Sequence, residues 1–149
     1  MEAYGRYGPA LVRKARRLLG RRADAEDVVH GLFVDLLSRG ETAPSLPYLY
    51  RAVTHRCLNV LRDERSRTRL LEAHGELLGP EPRSMLEGRV VGRDLIVKLL
   101  AVLDDKTIEV LVYRFVDDMS QEEVAEIAQT SRKTVQKRLD RAREAVLGL

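Results

Sequence analysis

Apolar residues recur at spacings of three and four along almost the whole chain, and runs alternating Val, Ile, Thr or aromatics with polar residues are missing. That period predicts α-helices throughout. The first is expected over about 4–19, with Tyr4, Leu11, Ala15, Leu18 and Leu19 turned inward and Gly20 placed to stop it. Asp24 is the expected N-cap of a second helix, with Asp27 as an acid in its first turn. That helix is expected to bury Val28, Val29, Leu32, Phe33 and Leu36 and to end near Gly40. After a loop with two prolines, a third helix is predicted over about 47–70, its inner stripe being Leu49, Tyr50, Val53, Cys57, Val60 and Leu61.

The pattern then breaks. Gly75, Gly79, Pro80 and Pro82 fall close together, with Ser84 just beyond, and mark residues 72–84 as a linker. A second bundle follows, with a fourth helix over about 85–103 and a fifth over about 105–116 that buries Ile108, Leu111, Val112 and Phe115. The predicted fold class is all-α: two small helical domains, 1–71 and 85–149, joined by a flexible linker. Domains of this size bury only about 60% of their extended-chain surface, so each is marginal alone and tends to lean on a partner.

The last thirty residues carry the most local information. Ser120-Gln121-Glu122-Glu123 has the form of a capping box. Val124, Ala125, Ile127 and Ala128 give a short helix its packing face, and Ala125 is small where a second helix crosses closely. After the turn Gln129-Thr130-Ser131, a second helix places Val135, Leu139, Ala142 and Val146 on one stripe. Its other face carries Arg132, Lys133, Gln136, Lys137, Arg138 and Arg141. This is the pattern of a helix-turn-helix, whose second helix enters a DNA major groove. Arg132, Lys133 and Gln136 are the expected base-edge readers, since Arg and Lys suit guanine and Gln suits adenine. Lys137, Arg138 and Arg141 are expected to anchor phosphates, while Ser131 and Thr134 assist or cap the helix. Gln129 stands where a glycine would most easily supply a left-handed turn.

Net charge is only +3, but its distribution adds to the picture. Residues 1–22 hold seven bases and one acid, and 23–38 hold four acids and no base. The stretches 51–69 and 131–149 each hold six Lys or Arg against two acids. Basic patches around an acidic element suit a protein that meets a polyanion at some faces and a protein at another. No apolar run reaches membrane-spanning length, and the first residues lack a signal-peptide pattern, so the cytoplasm is the expected location. A single cysteine, Cys57, excludes an internal disulfide, and His30, His55 and His74 lack metal-ligand spacing beside it. No nucleophile elbow or glycine-rich phosphate loop is present, so neither catalysis nor a cofactor is expected.

Taken in order, these segments resemble the bacterial RNA polymerase sigma factors of the sigma-70 family, in its extracytoplasmic-function group. Ala25-Glu26-Asp27-Val28-Val29-His30 followed by Leu32-Phe33-Val34 is similar to that family's acidic motif on the second helix. Tyr48-Leu49-Tyr50-Arg51-Ala52-Val53 and Cys57-Leu58-Asn59-Val60-Leu61-Arg62 resemble its third helix. Residues 103–113 and 119–143 resemble its second domain, with Thr134-Val135, Arg138-Leu139 and Arg141-Ala142-Arg143 matching the last helix.

The resemblance implies a promoter-specificity subunit that binds core RNA polymerase, recognises two promoter elements and assists strand opening. Residues 1–71 would be its region 2-like domain and 85–149 its region 4-like domain. Asp24, Glu26, Asp27, His30 and Asp35 would dock on the clamp helices of the polymerase beta-prime subunit, and the second domain would meet the beta flap. Tyr48, Tyr50, Arg56, Asn59, Arg62 and Arg65 would face the proximal element and the strand being opened. The distal element would fall to the helix-turn-helix residues named above. An anti-sigma partner is also implied. Where the family commonly has Gln-Glu, this chain has His30-Gly31, which removes an acid and puts a flexible residue in a helix. Two other readings stay open: a stand-alone DNA-binding regulator, and an interaction module for an anti-sigma partner.

Overall fold

The computed structural model describes residues 2–73 and 91–149, and every regular element among them is helical. Helix α1 is Glu2–Leu19, α2 Arg22–Ser38 and α3 Leu46–Ala73; α4 is Val91–Leu99, α5 Asp105–Leu111, α6 Gln121–Ile127 and α7 Arg132–Leu147. Helix α3 runs past its expected end near residue 70 and takes in residues 72 and 73, the first two of the expected linker 72–84. The rest of that linker with His74, and the start of the predicted fourth helix at 85–90, lie outside the described residues.

Helices α1, α2 and α3 pack together as one bundle. Gly20, at φ +78°, ends α1, and Gly40, at φ +76°, follows α2. Both need the left-handed region that a side chain disfavours. The start of α2 differs from expectation: the chain becomes helical at Arg22 after Arg21 as N-cap, so Asp24 lies in the first turn instead of capping it. There its charge still favours the helix N-terminus. Tyr4 also departs from the predicted inner stripe and is 44% exposed, with its ring edge-on to Phe33 at 5.0 Å. Lys14 takes an inward place instead, between Leu11 and Leu18.

The fifth helix is where periodicity misleads. Continued as α-helix, it would place Phe115 beside Ile108 and Leu111. At Val112–Val116 the backbone widens into a π turn, and the Asp117 amide donates to the Val112 carbonyl at 2.9 Å. The extra residue per turn shifts the phase. Tyr113 becomes fully buried and Phe115 is left 67% exposed, reversing the expectation for Phe115. Val146, expected on the inner stripe of α7, is likewise exposed near the helix end, whereas Val135 and Ala142 are buried and Leu139 is half-buried.

The two halves follow one another as expected, but they do not keep separate cores. One apolar cluster joins Leu11, Leu18, Leu36, Leu49 and Leu61 of the first half to Ile96, Leu99, Ile108 and Val112 of the second. A smaller cluster around Val110, Tyr113, Val124 and Val135 holds the helix-turn-helix and reaches Tyr50 on α3. Each fully buried Leu or Ile contributes about 1.5 to 3 kcal/mol of transfer free energy. Pooling these residues across the halves is one answer to the small size of each.

Candidate nucleic-acid interface

The helix-turn-helix is assembled from three local devices. At its start, the Glu123 amide donates to Ser120 Oγ at 3.1 Å, and the Ser120 amide donates to Glu123 Oε1 at 2.9 Å. Those hydrogen bonds, the one from the Ser120 backbone first, hold the Glu123 carboxyl below its ordinary value. At the turn, Thr130 N–H donates to the Ala125 carbonyl at 3.0 Å and Gln129 N–H to that of Glu126 at 3.3 Å. That pair of bonds is a Schellman closure around a left-handed residue, and Gln129 supplies it at φ +55°. Ser131 then caps α7, accepting from the Thr134 amide at 3.1 Å while its hydroxyl donates to Thr134 Oγ1 at 3.0 Å. Ser131 and Thr134 thus make the cap that was one of the roles expected of them.

Beyond that cap the basic face of α7 is open to solvent. Arg132, Lys133, Gln136, Lys137 and Arg141 are exposed, and Arg138 is half-buried. Arg132 meets Glu122 at 2.9 Å, with both side chains exposed, so the pair is a weak tether. Gln136 donates to Asp140 at 2.9 Å and accepts from Gln121 at 2.7 Å. Arg141 reaches Asp104 only at 3.4 Å. Long cations and an amide on the first two turns of a helix, with apolar residues behind, can enter a groove and exchange these exposed partners for base edges and phosphates.

On α3 the proximal set is divided. Tyr48 and Arg65 are half-buried, and Asn59 is exposed and accepts from Arg62 at 3.1 Å. Arg56 pairs with Asp35 of α2, which holds the Asp35 carboxyl below its ordinary value. Tyr50 and Arg62 face the second half of the chain. Lys14 Nζ lies 4.2 Å from the Tyr50 ring centroid, and the Tyr113 ring lies at 6.1 Å. Burial, with the nearby Asp117 charge, raises the Tyr50 phenol. Arg62 pairs with Asp105.

Sequence reasoning missed the contacts between the halves. Lys14 Nζ meets Asp117 Oδ2 at 2.7 Å and Arg17 meets Oδ1 at 2.9 Å, with the Asp117 side chain wholly inaccessible. His55 Nε2 lies 3.1 Å from Glu109, Arg51 donates to the Ile127 carbonyl at 3.2 Å, and Glu64 pairs with Arg93. One signal was available: Lys14 falls on the apolar stripe of the first helix, where a cation needs a partner. Burial lowers the Lys14 pKa despite Asp117.

The acidic helix keeps Glu26, Asp27, His30 and Asp35 exposed and Asp24 half-buried, and it runs unbroken through Gly31. Val34 and Leu37, 49% and 54% exposed, add an apolar edge that the site prediction omitted. Cys57 is buried with its thiol pushed up to about 12 by burial, and no group of three or more His, Cys, Asp or Glu among the described residues has metal-holding geometry.

The architecture is thus that of a two-part helical DNA-binding protein whose second part is a helix-turn-helix. Residues 3–67 match the family model for Sigma-70 region 2, and residues 93–146 match that for Sigma-70, region 4. The chain belongs to the sigma-70 family of sigma factors, which act in promoter recognition at transcription initiation and not as enzymes. No individual curated protein matches it. Among the described residues no helix is long and apolar enough to cross a membrane.

Proposed function

We propose that this chain is a promoter-specificity subunit of the extracytoplasmic-function type: it binds core RNA polymerase, recognises two promoter elements and assists strand opening. The observation that carries this reading is the presence, in one chain and in order, of region 2 and region 4, the latter with an exposed basic helix on a capped turn. Residues 85–149 would read the distal element through Arg132, Lys133 and Gln136, with Lys137, Arg138 and Arg141 on phosphates. Residues 1–71 would dock on the beta-prime clamp helices through Glu26, Asp27, His30 and Asp35, joined by the exposed Val34 and Leu37. Asp24, half-buried, would set the rim of that surface. On α3, Tyr48, Tyr50, Arg56, Asn59, Arg62 and Arg65 would hold the strand being opened, through stacking and phosphate contacts. Two tethered weak contacts gain effective concentration from each other.

An anti-sigma partner in the cytoplasm belongs to the same proposal. Support comes from a groove of about 1040 Å³ between α1, α4, the π turn and α7. Its described lining has an apolar floor including Leu99, Phe115 and Val146, six arginines and no acid. The test is reconstitution with core polymerase on a pool of random promoters. Start-specific transcripts are expected, and absence of both holoenzyme and transcript would overturn the proposal. Duplex binding without polymerase binding would mark a stand-alone regulator instead.

A further inference from the structure

Gln136 carries the only side-chain amide on α7, and it is bracketed by two other polar side chains. Its Nε2 donates to Asp140 Oδ1 at 2.9 Å, one turn further along the same helix. Its Oε1 accepts from Gln121 Nε2 at 2.7 Å, across the turn on α6. Gln121 is half-buried and follows Ser120, whose capping box with Glu123 fixes the first turn of α6. Val124 and Val135, both fully buried, hold α6 against α7. The three polar side chains thus form a row of hydrogen bonds anchored on two packed helices.

That row has a direction. A carboxylate only accepts, whereas an amide has a donor end and an acceptor end. Asp140 therefore obliges Gln136 to turn its nitrogen toward the C-terminal end of α7. The oxygen is left facing α6, where Gln121 presents its own nitrogen. Turning either amide end for end would set two acceptors together. These bonds add little to stability, since water can replace them. They still bias one amide between its two directions, because the reversed direction loses both at once.

Two hydrogen bonds do not exhaust Gln136. Its oxygen keeps one lone pair and its nitrogen one hydrogen, the groups that suit adenine N6 and N7. Across the major groove an A·T pair shows N7 and then N6, and a T·A pair shows them in reverse order. An amide of fixed direction meets one order and not the other.

We propose that Asp140 and Gln121 determine specificity: by fixing the direction of the Gln136 amide, they decide on which strand of the duplex it reads adenine. This rests on the role proposed for Gln136 above. Both are positioning residues that act through Gln136, and neither needs to touch a base.

The test uses the full chain and a random-sequence duplex pool, with the bound duplexes sequenced. The base pair read by Gln136 is the position whose preference the Gln136→Ala variant loses. There the wild type is expected to favour one of A·T and T·A by about tenfold, a ratio within reach of a bidentate base contact. Asp140→Asn keeps the shape but can donate or accept, so the ratio should fall toward parity. The decisive variant combines Gln121→Glu with Asp140→Asn. It moves the acid to the other end of the row at constant net charge, and so turns the amide round. The preferred pair should invert, with duplex affinity and melting midpoint little changed.

A merely structural role would not invert a preference. If Gln136→Ala erases the preference but the combined variant fails to invert it, the positioning role is overturned and Gln136 stands as a reader. A wild-type ratio kept in Asp140→Asn overturns it equally. If Gln136→Ala changes no position, or the full chain binds no duplex, the role of Gln136 fails and the inference with it.

Discussion

Residues 51–69 and 131–149 carry the same charge inventory, six Lys or Arg against two acids, yet the fold treats them differently. On α3, Arg56 is paired with Asp35, Arg62 with Asp105, and neighbouring His55 with Glu109. On α7, Lys133 and Lys137 face solvent, and Arg132 and Arg141 have only exposed partners, the latter at 3.4 Å. The difference teaches that a basic helix is a potential polyanion surface, and that tertiary partners decide whether it is available. The acids covering α3 come from α2 and from region 4, far away in sequence.

The harshest way to break this comparison is to remove the open side. Val135 is fully buried in the small cluster that holds α6, α7 and Tyr113 together. Val135→Asp puts an unpaired carboxylate there and is expected to cost region 4 about 3 to 5 kcal/mol. Loss of duplex-DNA binding together with a lower melting midpoint is expected. Unchanged melting would mean that this cluster does not hold the motif.

A gentler break leaves the scaffold alone. The Arg132→Ala, Lys133→Ala double variant removes two exposed side chains whose partners are exposed or absent among the described residues, so melting should not move. Duplex binding is expected to weaken by about 2 kcal/mol or more and to lose sequence preference, since a good base contact is worth roughly 1 to 3 kcal/mol. A titration against duplex pools at fixed salt checks this. Weakening that is uniform across sequences would reassign both residues to phosphates.

Much of the open side was legible in the sequence because its determinants are local. The capping box, the cap at Ser131 and the left-handed turn all lie within a few residues of their partners. Gly20 and Gly40 were legible for the same reason. The covered side was not. Lys14 and Asp117 are 103 residues apart, and nothing near either one names the other. The π turn was invisible too, because apolar spacing at Ile108, Leu111 and Phe115 fits an α-helix and only tertiary packing selects Tyr113 for the interior. Tyr4 and Val146 went astray near helix ends, where a stripe outruns the neighbour it packs on.

Gln129 offers a smaller way to sharpen the open side. A non-glycine residue at φ +55° costs roughly 1 to 2 kcal/mol. Glycine relieves that cost but gives back about 0.5 to 1 kcal/mol in unfolded-state entropy. Gln129→Gly should therefore stabilise region 4 by at most about 1.5 kcal/mol, read as a small rise in melting midpoint with duplex binding unchanged. A fall in midpoint would show that the glutamine contributes more than its backbone.

The smallest effect separates the two helices by pH. The hydrogen bond to Glu109 raises the His55 pKa above its ordinary 6.5; burial opposes this, the Glu109 charge and Asp105 add to it, and Arg51 detracts. Burial pushes Glu109 upward, but the hydrogen bonds from His55 and Tyr113 outweigh it and leave the carboxyl below its ordinary 4.5. A raised histidine stabilises the docked form fully below 6.5 and loses that contribution as pH rises through the raised value. A lowered Glu109 acts in the opposite sense, its contribution being lost only as pH falls through its lowered value. The pair thus favours closure between those limits, and alkaline pH should open the chain slightly. Since the His55 side chain is 55% exposed, solvent screening keeps the effect below about 1 kcal/mol. Energy transfer between dyes on the two regions reads the step, and His55→Gln, which keeps a hydrogen-bonding side chain without a titration, should flatten it. A step that survives in that variant assigns the pH dependence to another group. The α7 face carries arginine, lysine and glutamine but no histidine, so its duplex binding should stay flat over the same range.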